Sequence, residues 1–164
     1  APELEYCGGP EAKAFLEIFS SVICQYVQEK ILDQRGRAMA LVYLGNKLIN
    51  EEMLKSGWAR YHNDTTSQKE ALKEAMGKAK TDKKGIFSPQ CYQTENLQNP
   101  ECLIKGNIDK STGTRLYYYP GCAQYNFTIV EKDIGEDWFC SEKEAQKAGF
   151  SKAKTCHEKF KPQD

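Results

Sequence analysis

The chain has 164 residues, the length of one ordinary domain or two small ones, so a hydrophobic core of modest size is within reach. Lys and Arg total 23 and Asp and Glu also total 23, so no global basic field draws the chain toward polyanions, and any phosphate site must be built locally. The longest apolar stretches, near Phe15 to Ile23 and Ala38 to Leu44, are broken by polar residues and fall short of a membrane span, so no membrane partner is expected.

Pro10 to Phe19 places Ala12, Phe15, Leu16 and Phe19 at helical spacing and predicts a first helix. Val22 to Leu32 and Arg37 to Leu44 are rich in β-branched and aromatic residues, and Asp33-Gln34-Arg35-Gly36 between them reads as the turn of a β-hairpin. Gly45-Asn46 turns the chain again. Asn50 then reads as the cap of a short helix, EEMLKSG, ended by Gly57. Ser67 and Glu70 have the spacing of a capping box, opening a longer helix through Leu72, Ala75 and Ala79 that stops by Gly85. Lys69, Lys73, Lys78, Lys80, Lys83 and Lys84 lie on it or just past it, balanced in part by acids, and read as a solvated face.

Residues 89–101, polar and bounded by prolines, read as a linker between a first domain over 1–88 and a small α+β domain over 102–160. In the second domain, Cys102 to Ile108, Arg115 to Tyr119, Tyr125 to Val130 and Trp138-Phe139 are expected strands. A helix follows, opened by the capping box Ser141 and Glu144 and ended by Gly149. Its many aromatic residues form either a core or a stacking surface for single strands.

Seven cysteines, Cys7, Cys24, Cys91, Cys102, Cys122, Cys140 and Cys156, with no C-x-x-C pair, point to disulfides and an oxidising compartment, hence a secreted or periplasmic protein. The odd count leaves at least one thiol free or paired with another chain. Candidate pairs are Cys122 with Cys156, Cys91 with Cys102, and Cys7 with Cys24. The alternative is an irregular zinc site drawn from Cys102, Cys122, Cys140, Cys156 and His157.

The segment DQRGRAMALVYLGNKLINEEMLKSGWARY, closed later by KKGIFS, resembles the thermonuclease (staphylococcal-nuclease-like) family. The family's D-x-x-G-R turn and strand fall on Asp33, Gly36, Arg37 and ALVYL. Its G-x-x-[LIV]-N-E-x-[LM]-x-x-G-x-A-[RK] segment falls on Gly45, Asn50, Glu51, Leu54, Gly57, Ala59 and Arg60, and its closing G-I-[WF] on Gly85, Ile86 and Phe87. APELEYCGGPEAKAFL resembles the family segment that leads into the first helix. The resemblance implies an OB-fold β-barrel hydrolysing phosphodiesters of DNA or RNA, with Glu3 activating water and Arg37 holding phosphate through the two-pronged donor geometry of a guanidinium. It implies Arg35 and Tyr61 as further substrate contacts. Read without the family, Arg37 has the alternative of pairing with Asp33 or Glu29.

The family binds Ca²⁺ through aspartates that would precede Ala1, so calcium is expected of the complete family domain and is not supported by this chain alone. The first three barrel strands are likewise expected upstream, supplied by a preceding segment, a partner chain or a swapped copy. The fold class expected is therefore α+β: an incomplete OB-fold barrel with three helices, then a small disulfide-containing α+β domain. That second domain resembles, over Leu116 to Cys156, the zinc-binding domain of Ada-type DNA repair proteins, with one cysteine in place of each of its cysteine pairs. Two functions compete: a calcium-dependent nuclease, and a nuclease-like module that binds nucleic acid or protein without catalysis.

Overall fold

The computed structural model describes residues 1–20, 25–32, 36, 38–62 and 66–157, with the backbone alone at residues 25, 26, 28, 30, 31 and 38. Cys24, Asp33, Gln34, Arg35 and Arg37 lie outside the described residues. The chain forms two compact units, Ala1–Ser88 and Pro89–Asp164. Both mix helices and mainly antiparallel strands, with one parallel pair, Arg115–Tyr118 beside Ser151–Lys152 in the second unit, in agreement with the expected α+β class.

Unit 1 opens with α1 (Gly9–Ser20), whose Ala12 is buried and whose Phe15 and Phe19 rings meet edge to face. Strands β1 (Gln25–Leu32) and β2 (Ala38–Leu44) pair antiparallel, and the tight turn at Gly45-Asn46 leads to the two-residue β3 (Lys47–Leu48) on the other edge of β2. Helices α2 (Ile49–Lys55) and α3 (Lys69–Thr81) follow. Leu41, Leu48, Leu54, Leu72 and Ala75 form one apolar cluster. Ala12, Ile49 and Met53 form another, with Phe15, Phe19 and Trp58 against it.

Two local expectations are corrected here. Asn50 does not cap α2: the helix begins at Ile49 with Leu48 as its cap residue and no side-chain cap bond, while the Asn50 amide bonds to β2. Nor do Ser67 and Glu70 form a box. The Ser67 N–H donates to the Glu29 carboxylate at 3.1 Å, the Thr66 hydroxyl donates to the same carboxylate at 2.7 Å, and the Gln68 N–H donates to the Thr66 hydroxyl at 3.3 Å. A carboxylate on β1 takes over the role of the local cap.

The two helices are clasped where their ends meet. Gly57, past α2, and Gly85, past α3, both have positive φ, at 78° and 54°, and their backbones touch: the Ile86 N–H donates to the Gly57 carbonyl at 2.9 Å. A Cβ at Gly57 would lie 2.3 Å from the Lys84 carbonyl oxygen, and one at Gly85 would lie 2.3 Å from that of Gly57. Only glycine allows both the dihedral and the approach. The clasp seats Ile86 and Phe87 in the interior, 0% and 4% exposed.

Unit 2 contains the ribbon of β4 (Tyr92–Gln93) and β7 (Val130–Glu131), and a four-stranded sheet. The sheet comprises β5 (Ile104–Ile108), β6 (Arg115–Tyr118), β8 (Trp138–Phe139) and β9 (Ser151–Lys152), in the order β8-β5-β6-β9. Helix α4 (Glu142–Lys147) is capped as expected: the Glu144 N–H donates to the Ser141 hydroxyl, and the Glu144 carboxylate accepts from the Cys140 N–H. The core is Ile104, Tyr117, Tyr119, Ala145, Phe150 and Ala153 together with Cys122 and Cys156.

The segment 89–101, expected as a linker, is instead built into this unit. Two of its polar side chains are spent internally: Gln93 donates to the Pro89 and Gln90 carbonyls and accepts from the Trp138 indole, and Asn96 donates to the Cys102 carbonyl. The expected strand Tyr125 to Val130 is mostly a 3-10 turn, Tyr125–Phe127, with only Val130 entering β7. Of the aromatic set, Tyr117 and Tyr119 are fully enclosed, and Tyr118, Tyr125, Trp138 and Phe139 are half-buried; Phe127 is the ring of that set that stands free, 85% exposed. The set is therefore a core.

Cys122 and Cys156 are joined, as the sequence suggested, but Cys102 pairs with Cys140 rather than Cys91. Strand pairing decides this: Ile104 lies opposite Phe139, which brings the cysteines just before β5 and just after β8 together. Cys7, in unit 1, and Cys91, in unit 2, are each disulfide-bonded as well. With these thiols oxidised, the irregular zinc site loses its thiolate ligands.

Unit 2 also encloses charge. Lys105, 3% exposed, donates to the Tyr125 and Thr128 carbonyls and lies over the rings of Tyr125 and Trp138; burial pulls its pKa down. Glu136, 2% exposed, accepts from the Asn107 amide, the Ile108 N–H and the Glu131 N–H, all within 2.8 Å, yet burial pushes its carboxyl up to about 7. The neighbouring Glu131 carboxylate is paired with Lys110 at 2.6 Å.

Candidate functional site

In unit 1 residues of β2, α2 and α3 line an open cavity of about 510 Å³. Its floor is apolar, with Leu41, Val42, Ile49, Met53, Leu54 and Leu72, and Glu29, Arg60, Tyr61, His62 and Thr66 contribute polar groups to its walls. Glu29 is held in the left-handed region, φ 51°, at a bulge in β1, where the register steps from Gln28 opposite Leu41 to Ile31 opposite Met39. From there it binds Thr66 and Ser67, and these hydrogen bonds hold its pKa below the usual carboxylate value. Arg60 lies over the Phe87 ring, 5.3 Å from its centroid.

Of the four predicted site residues, the described structure places two. Glu3 is exposed, but its backbone is fixed. Its carbonyl accepts from the Tyr6 N–H, the Tyr6 carbonyl accepts from the Gly9 N–H, and Gly9 passes so close that a Cβ there would lie 2.1 Å from the Glu3 oxygen. Tyr61 is half-buried, packs on the Leu41–Leu54–Leu72 cluster, donates its backbone N–H to the Met76 sulfur at 3.2 Å, and lines the cavity, which Glu3 does not. Arg35 and Arg37 lie outside the described residues. Glu29 and Asn50, both cavity-lining, were missed as organising residues by sequence reasoning, because each acts on a segment distant in sequence.

Among the described residues no group of three or more His, Cys, Asp or Glu side chains is gathered where a metal ion could be held. Calcium takes six to eight oxygen ligands, and an exposed Glu3 outside the cavity does not make such a site. The residues described do not fit the ion.

The model of the staphylococcal nuclease homologue family matches residues 4–89. The chain belongs to this family. The match spans unit 1 and ends one residue into unit 2, so the hairpin, the Gly57–Gly85 clasp and the cavity are those of a staphylococcal nuclease homologue. Membership ties the chain to nuclease-related function in general, in a family that generally binds nucleic acid and depends on calcium. No helix of the described residues is long and apolar enough to cross a membrane.

Proposed function

We propose that the chain serves a phosphodiesterase that hydrolyses DNA or RNA. The observation that carries this reading is the family match over residues 4–89, which covers Arg35, Arg37 and Tyr61 and begins one residue after Glu3. In this reading Glu3 takes the proton of the attacking water. Arg37 donates two hydrogen bonds to the phosphate and offsets the charge that develops on it, while Arg35 and Tyr61 contact the substrate.

Unit 1 is proposed to act with its barrel completed by further strands. Three features support this: β1 is an edge of its sheet, the cavity is floored by apolar side chains, and Leu16, Val27 and Leu32 are 47%, 43% and 71% exposed. An upstream segment of the same polypeptide is the first proposed source, before a partner chain or a swapped copy. The acidic groups that calcium needs beyond Glu3 are proposed to come with those strands. The disulfides favour a secreted or periplasmic location.

The test measures cleavage of single-stranded DNA and RNA with calcium and with chelator, by the polypeptide that carries the completing strands, as the wild type and as Arg37→Ala. Calcium-dependent cleavage that falls by about two to three orders of magnitude in the variant is expected. Equal background in all four conditions would sink the enzyme. The exposed position of Glu3 outside the cavity favours the second reading, binding without catalysis, and retained oligonucleotide affinity without cleavage is its signature.

A further inference from the structure

Strand β2 is unevenly supported along its two edges. On one edge β1 pairs with it from Leu44 to Leu41 and again at Met39 and Ala38, which leaves Ala40, at the level of the Glu29–Lys30 bulge, with no partner in register. On the other edge β3 reaches only Tyr43 and Leu44. Backbone groups alternate between the two edges of a strand, so Ala40 and Val42 face the same side as Leu44, the side where β3 runs out.

One side chain fills the gap. The Val42 N–H donates to Asn50 Oδ1 at 2.8 Å and Asn50 Nδ2 donates to the Ala40 carbonyl at 3.0 Å. An amide presents one acceptor and one donor side by side, as a peptide group does, so Asn50 acts as the next rung of the ladder while its own backbone turns into α2. No other side chain of its size does both: aspartate places a second acceptor against the Ala40 carbonyl, and alanine leaves both backbone groups facing an apolar cavity wall.

We propose that Asn50 is a positioning residue for the phosphate site. It pins β2 opposite the β1 bulge and so fixes the strand into which Arg37, the residue immediately before Ala38, leads. The inference rests on the reading of Arg37 as the phosphate-binding arginine.

A double-mutant cycle on the full chain tests it, with Asn50→Ala, Arg37→Ala and the pair compared on a single-stranded oligonucleotide. Amide exchange at Val42 reports the local structure. Should turnover be too slow to follow, the same cycle is read on oligonucleotide binding by anisotropy. Asn50→Ala is expected to speed exchange at Val42 and to lower kcat, or affinity in the binding format, by about 10-fold. It is expected to add nothing in the Arg37→Ala background. Should Asn50→Ala fail to fold, Asn50→Asp, which keeps the volume and loses the donor, takes its place. Wild-type activity and affinity in a variant whose Val42 amide has loosened, or losses that multiply in the double variant, overturn the inference. If Arg37→Ala is itself silent, the reading of Arg37 fails and the inference with it; a loss in Arg37→Ala with none at Asn50 overturns the inference alone.

Discussion

Replacing Gly85 by alanine should unfasten unit 1. Two costs are separable in the structure. The first is the dihedral: at φ 54°, a Cβ crowds its own carbonyl, a penalty of about 1–2 kcal/mol. The second is the approach. The added carbon would lie 2.3 Å from the Gly57 oxygen and 3.0 Å from that of Ser56, both backbone atoms, so the two turns must separate. Separation stretches the Ile86 N–H to Gly57 carbonyl bond, and losing a bond to a buried donor costs about 1–3 kcal/mol. It also withdraws the fully buried Ile86. The sum, roughly 3–5 kcal/mol, is a large share of the 5–15 kcal/mol that ordinarily holds a domain. A thermal or urea melt of unit 1 should move by more than about 10 °C or its denaturant equivalent. Gly77→Ala supplies a control of opposite sign: it lies in the middle of α3, a Cβ there meets nothing within 4 Å, and the change should stabilise by about 0.5–1 kcal/mol. A Gly85→Ala protein that melts within about 2 °C of the wild type would refute the clasp.

Three further outcomes are expected. Folding raises the Glu136 carboxyl from 4.5 to about 7, so between those values the folded unit 2 holds a proton that the unfolded chain has lost; its stability should fall by up to about 3 kcal/mol as pH rises through that window, and Glu136→Gln should flatten the slope of melting temperature against pH. Reducing the disulfides Cys102–Cys140 and Cys122–Cys156, separated by 38 and 34 residues, should remove about 4 kcal/mol each from unit 2, read as a lowered melting transition in dithiothreitol. Glu29→Gln should loosen the start of α3. Because hydrogen bonds from Ser67 and Thr66 lower the pKa of the Glu29 carboxyl, its contribution is present above the ordinary carboxylate pKa and is lost as pH falls; amide exchange at Ser67 that is the same in the variant and the wild type at neutral pH would contradict this.

What was legible in the sequence was what is decided within a few residues. The box of Ser141 and Glu144 forms because both partners lie in one turn of chain and neither has a stronger competitor. The same spacing at Ser67 and Glu70 fails because Glu29, on another strand, reaches the Ser67 N–H. Asn50 was misread for a related reason: a cap and a ladder rung use the same amide atoms, and only the shortness of β3 selects the rung. Gly57 and Gly85 were each visible as helix stops, but not that they meet. The polar stretch 89–101 looked like a linker because a buried polar network and a solvated loop share a composition. The candidate site is a reading from motif alone. Glu3, Arg35, Arg37 and Tyr61 follow from family positions, and no periodicity or charge pattern of the chain would have selected them.

The two units solve the problem of small size differently. A short chain buries too little apolar surface to offset the entropy of ordering it, and unit 2 makes up the difference covalently, with one disulfide across the ends of β5 and β8 and another beyond β6 and β9. That support lets it enclose Lys105 and Glu136, which a marginal core would not tolerate. Unit 1, whose Cys7 is also disulfide-bonded, adds the glycine clasp and two side chains tied to distant backbone groups, the Asn50 rung and the Glu29 tie. These hold α2, α3 and the hairpin in place around a cavity that its own side chains do not fill. In the reading proposed above, this wall is the one that would receive further strands. In that arrangement Asn50 and Glu29 would be the contacts that keep the wall ready, and each can be removed by a single substitution that leaves the apolar floor untouched.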